Sequence, residues 1–252
     1  MKSVIICEGS TDLVLIQYFM EKVNSWVLKN DRINERRLER SGLFGFQYLH
    51  NFIKNNNELI IGDTGGSTNI VNSFAKVIER NKQSSSINDV FDNIVIICDR
   101  DEKNVVSEFD MRIVNCLTET DVATSDIIDN DVWAHCTLIN ARGNYTKFRV
   151  LLLVIPFEET GALETFLLNA LSDNDEYDRQ LIDECNGFVD SVDPEKRYLC
   201  KRRYKTKAKF DVYFSVRTPL EQYRERRNIL RGIPWEEYEN IQNSFRKLRE
   251  LG

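Results

Sequence analysis

Two stretches place acidic side chains directly after a β-branched apolar run: VIICEGSTD at residues 4–12 and IVIICDRDE at residues 94–102. Glu8 and Asp12 stand in the first, Asp99 and Asp101 in the second. Open parallel sheets hold ligands at the carboxyl ends of their strands, so if these two strands are neighbours, Glu8, Asp99 and Asp101 meet in one crevice. Like charges a few ångströms apart do not all stay ionised without a cation among them, and all-oxygen ligands suit a hard divalent ion, Mg2+ or Mn2+. The two-residue step puts Asp99 and Asp101 on one side of an extended tip and Arg100 on the other. A single acid after a strand more often caps a helix or shapes a turn, and Asp12 also fits a first-turn acid favoured by the helix dipole. The repeated design is what favours a metal site over two unrelated turns.

Two further stretches suit phosphate. In GDTGGSTNI, residues 62–70, Gly65, Gly66 and Ser67 lead into a helix whose exposed N–H groups and dipole attract anions; a tight turn feeding a Ser/Thr cap is the plainer reading. No GK[ST] follows, so this is not an ATP-binding P-loop. Residues 196–209, KRYLCKRRYKTKAK, carry eight Lys or Arg and no acid, whereas residues 158–195 carry twelve Asp or Glu against one Arg. Lys201, Arg202, Arg203, Lys205 and Lys209, interleaved with Tyr198 and Tyr204, suit phosphate contacts and base stacking. A solvated helix face pairing with the preceding acidic segment is the alternative. On a helix, Lys201, Lys205 and Lys209 share one face, and one of them is expected to approach the crevice.

The elements that must position these groups follow from periodicity. Uninterrupted apolar runs at 3–7, 58–61, 94–98, 136–139 and 150–155 suit strands covered on both faces, as in a parallel sheet. Amphipathic helices are expected over 11–28 and 67–80, the latter behind a Ser/Thr cap, giving strand, helix, strand in the order of an α/β fold. Further helices are expected over 161–171, 175–189, 207–216 and 234–251, with QSSSIND at 83–89 as a flexible connection. His50 and His135 lack a ligand pattern, and Trp26, Trp133 and Trp235 read as packing residues.

A chain of 252 residues suffices for one large or two small domains with a real core. The net charge of −6 argues against uniform binding to polyanions, leaving the basic stripe as the local exception. No apolar run reaches the roughly 18 residues of a membrane span, and the start is not a signal peptide, so a cytoplasmic protein is expected. Six cysteines without CxxC spacing are expected to be reduced and mostly buried, with no structural zinc.

Together, ICEGSTD and IICDRDE resemble the Toprim domain shared by topoisomerases, bacterial primases, the ribonuclease that matures 5S ribosomal RNA and the overcoming-lysogenization-defect (OLD) nucleases. The resemblance covers residues 1–170 and implies an α/β fold, a Toprim-like parallel sheet flanked by helices, followed by a mostly helical, basic extension at 171–252 packed on it. It implies that Glu8 is a metal ligand or general acid/base, that Asp99 and Asp101 are metal ligands, and that Asp12 and Glu164 are the further metal-holding acids of the nuclease branch. The third acid that topoisomerases and primases often carry after DxD is Lys103 here, which favours the nuclease branch. The implied function is an Mg2+- or Mn2+-dependent nuclease acting on DNA or RNA. The alternative is a non-catalytic nucleic-acid or nucleotide binding module working with a separate ATPase partner. Homo-oligomerisation stays open. The whole chain also resembles a family of small bacterial proteins related to these nucleases, with GALETFLL and YLCKRRYKTKAKFDVYFSV as later landmarks.

Overall fold

The computed structural model describes residues 1–29, 43–84, 86, 89–101, 104–157, 159–218, 230 and 232–252. Lys103 and part of the expected connection at 83–89 lie outside the described residues. The elements run β1 (Lys2–Cys7), α1 (Ser10–Lys22), β2 (Val27–Leu28), β3 (Tyr48–Lys54), β4 (Asn57–Asp63), α2 (Ser67–Gln83), β5 (Asn93–Asp99), α3 (Val105–Glu119), β6 (Ala123–Thr124), β7 (Trp133–Ile139), β8 (Tyr145–Ile155), α4 (Leu163–Asn174), α5 (Glu176–Ser191), α6 (Arg202–Arg217) and α7 (Glu239–Ser244).

The fold is α/β: one eight-stranded mixed sheet in the order β2-β3-β4-β1-β5-β8-β7-β6, with helices on both faces. The four central strands β4, β1, β5 and β8 are parallel, and antiparallel strands extend the sheet at each edge. The apolar runs are uninterrupted because alternate side chains enter two separate cores. In β1, Ile5 and Cys7 join the cluster under α1, α4, α5 and α6, while Val4 and Ile6 join the cluster under α2 and α3. Each such Val or Ile contributes roughly 1.5–3 kcal/mol on burial, and a strand with no solvent face can use every position.

Several expected boundaries move. The helix expected over 11–28 ends at Lys22, and Val27 and Leu28 instead pair with Ile53 and Phe52 of β3, a strand that no apolar run announced. The 136–139 run lies in β7, which is antiparallel to β8 and alternates buried with exposed residues rather than being covered on both faces. Helix α2 has no Ser/Thr side-chain cap: its N-cap is Gly66. The C-terminal helix expected over 234–251 is broken into a 3-10 turn at Trp235–Glu237, the short α7, and a 3-10 helix at Arg246–Leu251. Trp235, Tyr238, Ile241, Phe245, Leu248 and Leu251 are all buried. Their spacing is mostly three, which suits a 3-10 winding better than a continuous α-helix.

One apolar cluster joins Ile5 and Val95 of the sheet to Phe210 and Phe214 of α6 and to Phe245 and Leu251 at the C-terminus. The helical segment after residue 170 therefore shares a core with the sheet, and this contact fixes how α6 is rotated.

Candidate active site

The parallel pairing brings the two acidic tips together. Cys7 lies opposite Asp63 on one side and Ile97 on the other, so Glu8 leaves the sheet between β4 and β5. The Glu8 amide donates to the Ile97 carbonyl (3.2 Å), and the Asp99 amide donates to Glu8 Oε2 (3.3 Å). Asp99 Oδ1 accepts from the Leu163 amide at the start of α4 (2.8 Å), and Asp12 Oδ2 accepts from Gly9 (2.7 Å). The Ser67 amide, at the start of α2, also donates to the Glu8 carboxylate. The anion expected at this helix start is thus already supplied in part by the protein itself.

The acids line a cleft of about 510 Å³ that is also lined by the Gly65–Ser67 turn and by Arg202, Arg203, Thr206 and Lys207 of α6. A larger hollow of about 990 Å³ lies among Lys2, Asn93, His135 and Arg149, away from the acids. At the tip of β5 the expected alternation holds. Asp99 points inward, Arg100 Nε donates to the Pro156 carbonyl (2.6 Å), and Asp101 stands at the mouth, 2.5 Å from the Arg202 guanidinium.

Burial and mutual repulsion act on these carboxyls. Asp12 is pushed up to about 8, chiefly by burial, with the Glu8, Glu164 and Asp63 charges adding to it and the Gly9 N–H opposing. Asp99 is raised well above the carboxylate range by burial and by its neighbours Asp12 and Glu8. Burial raises Glu8 too, held back by the Asp99 N–H. Without a cation, this pocket keeps part of its acid wall protonated at neutral pH.

The donor set is all carboxylate, which suits Mg2+ or Mn2+ rather than zinc. Among the described residues, no three His, Cys, Asp or Glu already stand in a metal-ligating arrangement. Glu8, Asp12 and Asp99 are held by backbone amides, and Asp101 by Arg202. In donor chemistry the residues fit a hard cation, whose approach competes with the Arg202–Asp101 pair.

A model of a family described as a protein of unknown function (DUF3226) matches residues 2–247. The chain belongs to this family. Among curated proteins none matches. The crystal structure of a hypothetical protein from Pyrococcus horikoshii OT3 has a similar fold, with a TM-score of 0.54 and 17% identity over 99% of this chain and 98% of that one.

In this DUF3226 chain, Glu8, Asp12, Asp99, Asp101 and Glu164 all reach the one cleft, as do Gly65, Gly66 and Ser67. The basic stripe divides. Lys201 is the N-cap of α6, while Lys205 and Lys209 turn to Asp190 of α5 (3.5 and 2.7 Å), as the solvated-face alternative expected. Arg203 and Lys207 face the cleft instead. The cause is the buried stripe Phe210, Tyr213 and Phe214: carried back in steps of three and four, it reaches Arg203, Thr206 and Lys207. Sequence reading also missed Asp63, 1% exposed, whose Oδ1 accepts from the Tyr48 amide (2.9 Å). Its signal was present, since ELIIGD ends a third apolar run in an acid.

Proposed function

We propose that this protein is a metal-dependent phosphodiesterase, a nuclease acting on DNA or RNA, as its resemblance to the Toprim nucleases implies. The observation that carries this reading is the cleft itself: six carboxylates, Asp12, Asp63 and Glu164 buried and Asp101 at the mouth, line it together with Arg202, Arg203 and Lys207. A cation held on the acidic side and a phosphate gripped from the basic side answer each wall's charge. Glu8, Asp12, Asp99, Asp101 and Glu164 would hold Mg2+ or Mn2+. When bound, the ion supplies Lewis-acid polarisation of the phosphoryl oxygens and an activated water.

The chain's own residues do the rest. Arg203 and Lys207 orient the phosphate and stabilise charge that develops on it. Glu8, held in place by the Asp99 and Ser67 amides and set among the other acids of the cleft, is the group suited to move a proton. All six cysteines are free, which suits a reducing compartment, the cytoplasm, and no helix of the described residues is long and apolar enough to cross a membrane.

One observation favours a second reading. The Arg202–Asp101 ion pair, which occupies one of the acids, suits a binding module without turnover, partnered with an ATPase. Incubating the purified protein with labelled single- and double-stranded DNA and RNA in Mg2+, Mn2+ or EDTA separates the two. Cleavage that needs the metal and is lost in Asp99→Asn supports the nuclease. Binding without cleavage under every condition supports the module.

A further inference from the structure

The turn between α5 and α6 and the first turn of α6 each leave a tyrosine ring in solvent. The Asp193 carboxylate accepts three successive amides, from Arg197 (3.0 Å), Tyr198 (2.8 Å) and Leu199 (2.7 Å), which closes the turn around one side chain. Tyr198 is left 69% exposed, with the Arg197 guanidinium 5.3 Å from its ring centre. Tyr204, 44% exposed, carries the Lys201 ammonium 5.7 Å from its ring centre. Neither ring belongs to an apolar cluster, so the packing of the fold does not explain them. Each is a π-face joined to a cation, the pairing that unstacked bases and their phosphates use.

We propose that Tyr198 and Tyr204 form a stacking platform for an unpaired nucleic-acid strand that runs from this turn into the cleft, so that the preferred substrate is single-stranded or frayed rather than intact duplex. This rests on the reading of the cleft as a phosphodiester site. Tyr204 lies on α6 directly after Arg203 and three residues before Lys207, both on the cleft wall, so a strand on its ring is within one helical turn of the cleft's cations. The cleft's volume of about 510 Å³ suits a nucleotide-sized group. Its floor is recessed as well, with Asp12 7% and Glu164 5% exposed, and a strand released from its partner reaches such a floor more readily than a paired one. In a duplex the base faces are covered by their neighbours, and the two rings would have nothing to stack on.

The test measures binding by fluorescence anisotropy in EDTA, using full-length protein and labelled oligonucleotides of about twelve nucleotides. The probes are single-stranded DNA, single-stranded RNA, the blunt DNA duplex and an abasic strand that keeps every phosphate. The expected result is tighter binding of base-bearing single strands than of duplex or abasic strand. Tyr198→Ala and Tyr204→Ala should each weaken single-strand binding by on the order of ten-fold and leave the abasic strand unchanged, while Tyr→Phe at either position keeps the affinity. Equal affinity for duplex and single strand, or tyrosine variants that bind like wild type, overturns the proposal, and a surface for a protein partner then takes its place. Arg203→Ala/Lys207→Ala keeps the two readings apart. If that variant loses the abasic strand while the tyrosine variants bind normally, the cleft reading survives and the platform fails; if it too binds normally, both fail.

Discussion

Replacing Asp12 with Asn tests the buried acid cluster without needing any substrate. The folded carboxyl is pushed up to about 8, whereas an unfolded Asp titrates near 3.9. Between those values the folded protein holds a proton that the unfolded chain has lost, so stability is full below about pH 4 and falls as pH rises, levelling off above the folded value. The slope is about 1.4 kcal/mol per pH unit, so wild type should lose about 3 kcal/mol from this group between pH 5 and pH 7. Asn does not titrate and keeps an oxygen able to accept the Gly9 amide now bound by Asp12 Oδ2. Urea unfolding in EDTA should therefore show the variant gaining on wild type by about 3 kcal/mol from pH 5 to pH 7, roughly 6–12 °C in Tm for a chain of this size. Parallel stability curves for the two proteins across that range would refute the buried, proton-holding cluster.

Three further outcomes follow from the same geometry. Asp101→Asn should lower Mg2+-dependent cleavage by on the order of 100-fold while oligonucleotide binding in EDTA holds or tightens; equal cleavage by variant and wild type removes Asp101 from the metal site. Arg203→Ala with Lys207→Ala should reduce the slope of log affinity against log salt by about 0.7 for each phosphate that is no longer neutralised, whereas Lys205→Ala with Lys209→Ala, whose ammonium groups already meet Asp190, should leave that slope unchanged. Gly65→Ala should cost about 1–2 kcal/mol in chemical unfolding, because φ is +73° there, while the Gln47 side-chain end that an added Cβ would meet can swing aside.

By itself the sequence determined the character of the central strands and what stands at their tips. A run such as VIIC or IVIIC leaves no polar face for solvent, so it has to be covered on both sides, and the acids that end it have to leave the sheet at its carboxyl edge. That was enough to bring Glu8 and Asp99 to one place once β1 and β5 paired. The pairing itself was decided only in three dimensions, because strand order joins residues some ninety positions apart, as Cys7 and Ile97 are joined. Tertiary packing also brought in Asp63, by pairing β4 beside β1, and made β3 a strand through contacts with β4 that its own residues do not announce. The basic stripe is the clearest case. Its charges are plain in the sequence, but burying Phe210, Tyr213 and Phe214 against the sheet rotates α6, and that rotation, not the charges, turned Arg203 and Lys207 toward the acids and sent Lys205 and Lys209 to Asp190. Apolar burial outweighs the placement of exposed cations, worth less than about 1 kcal/mol each, so the core chose which side of the stripe faces the cleft.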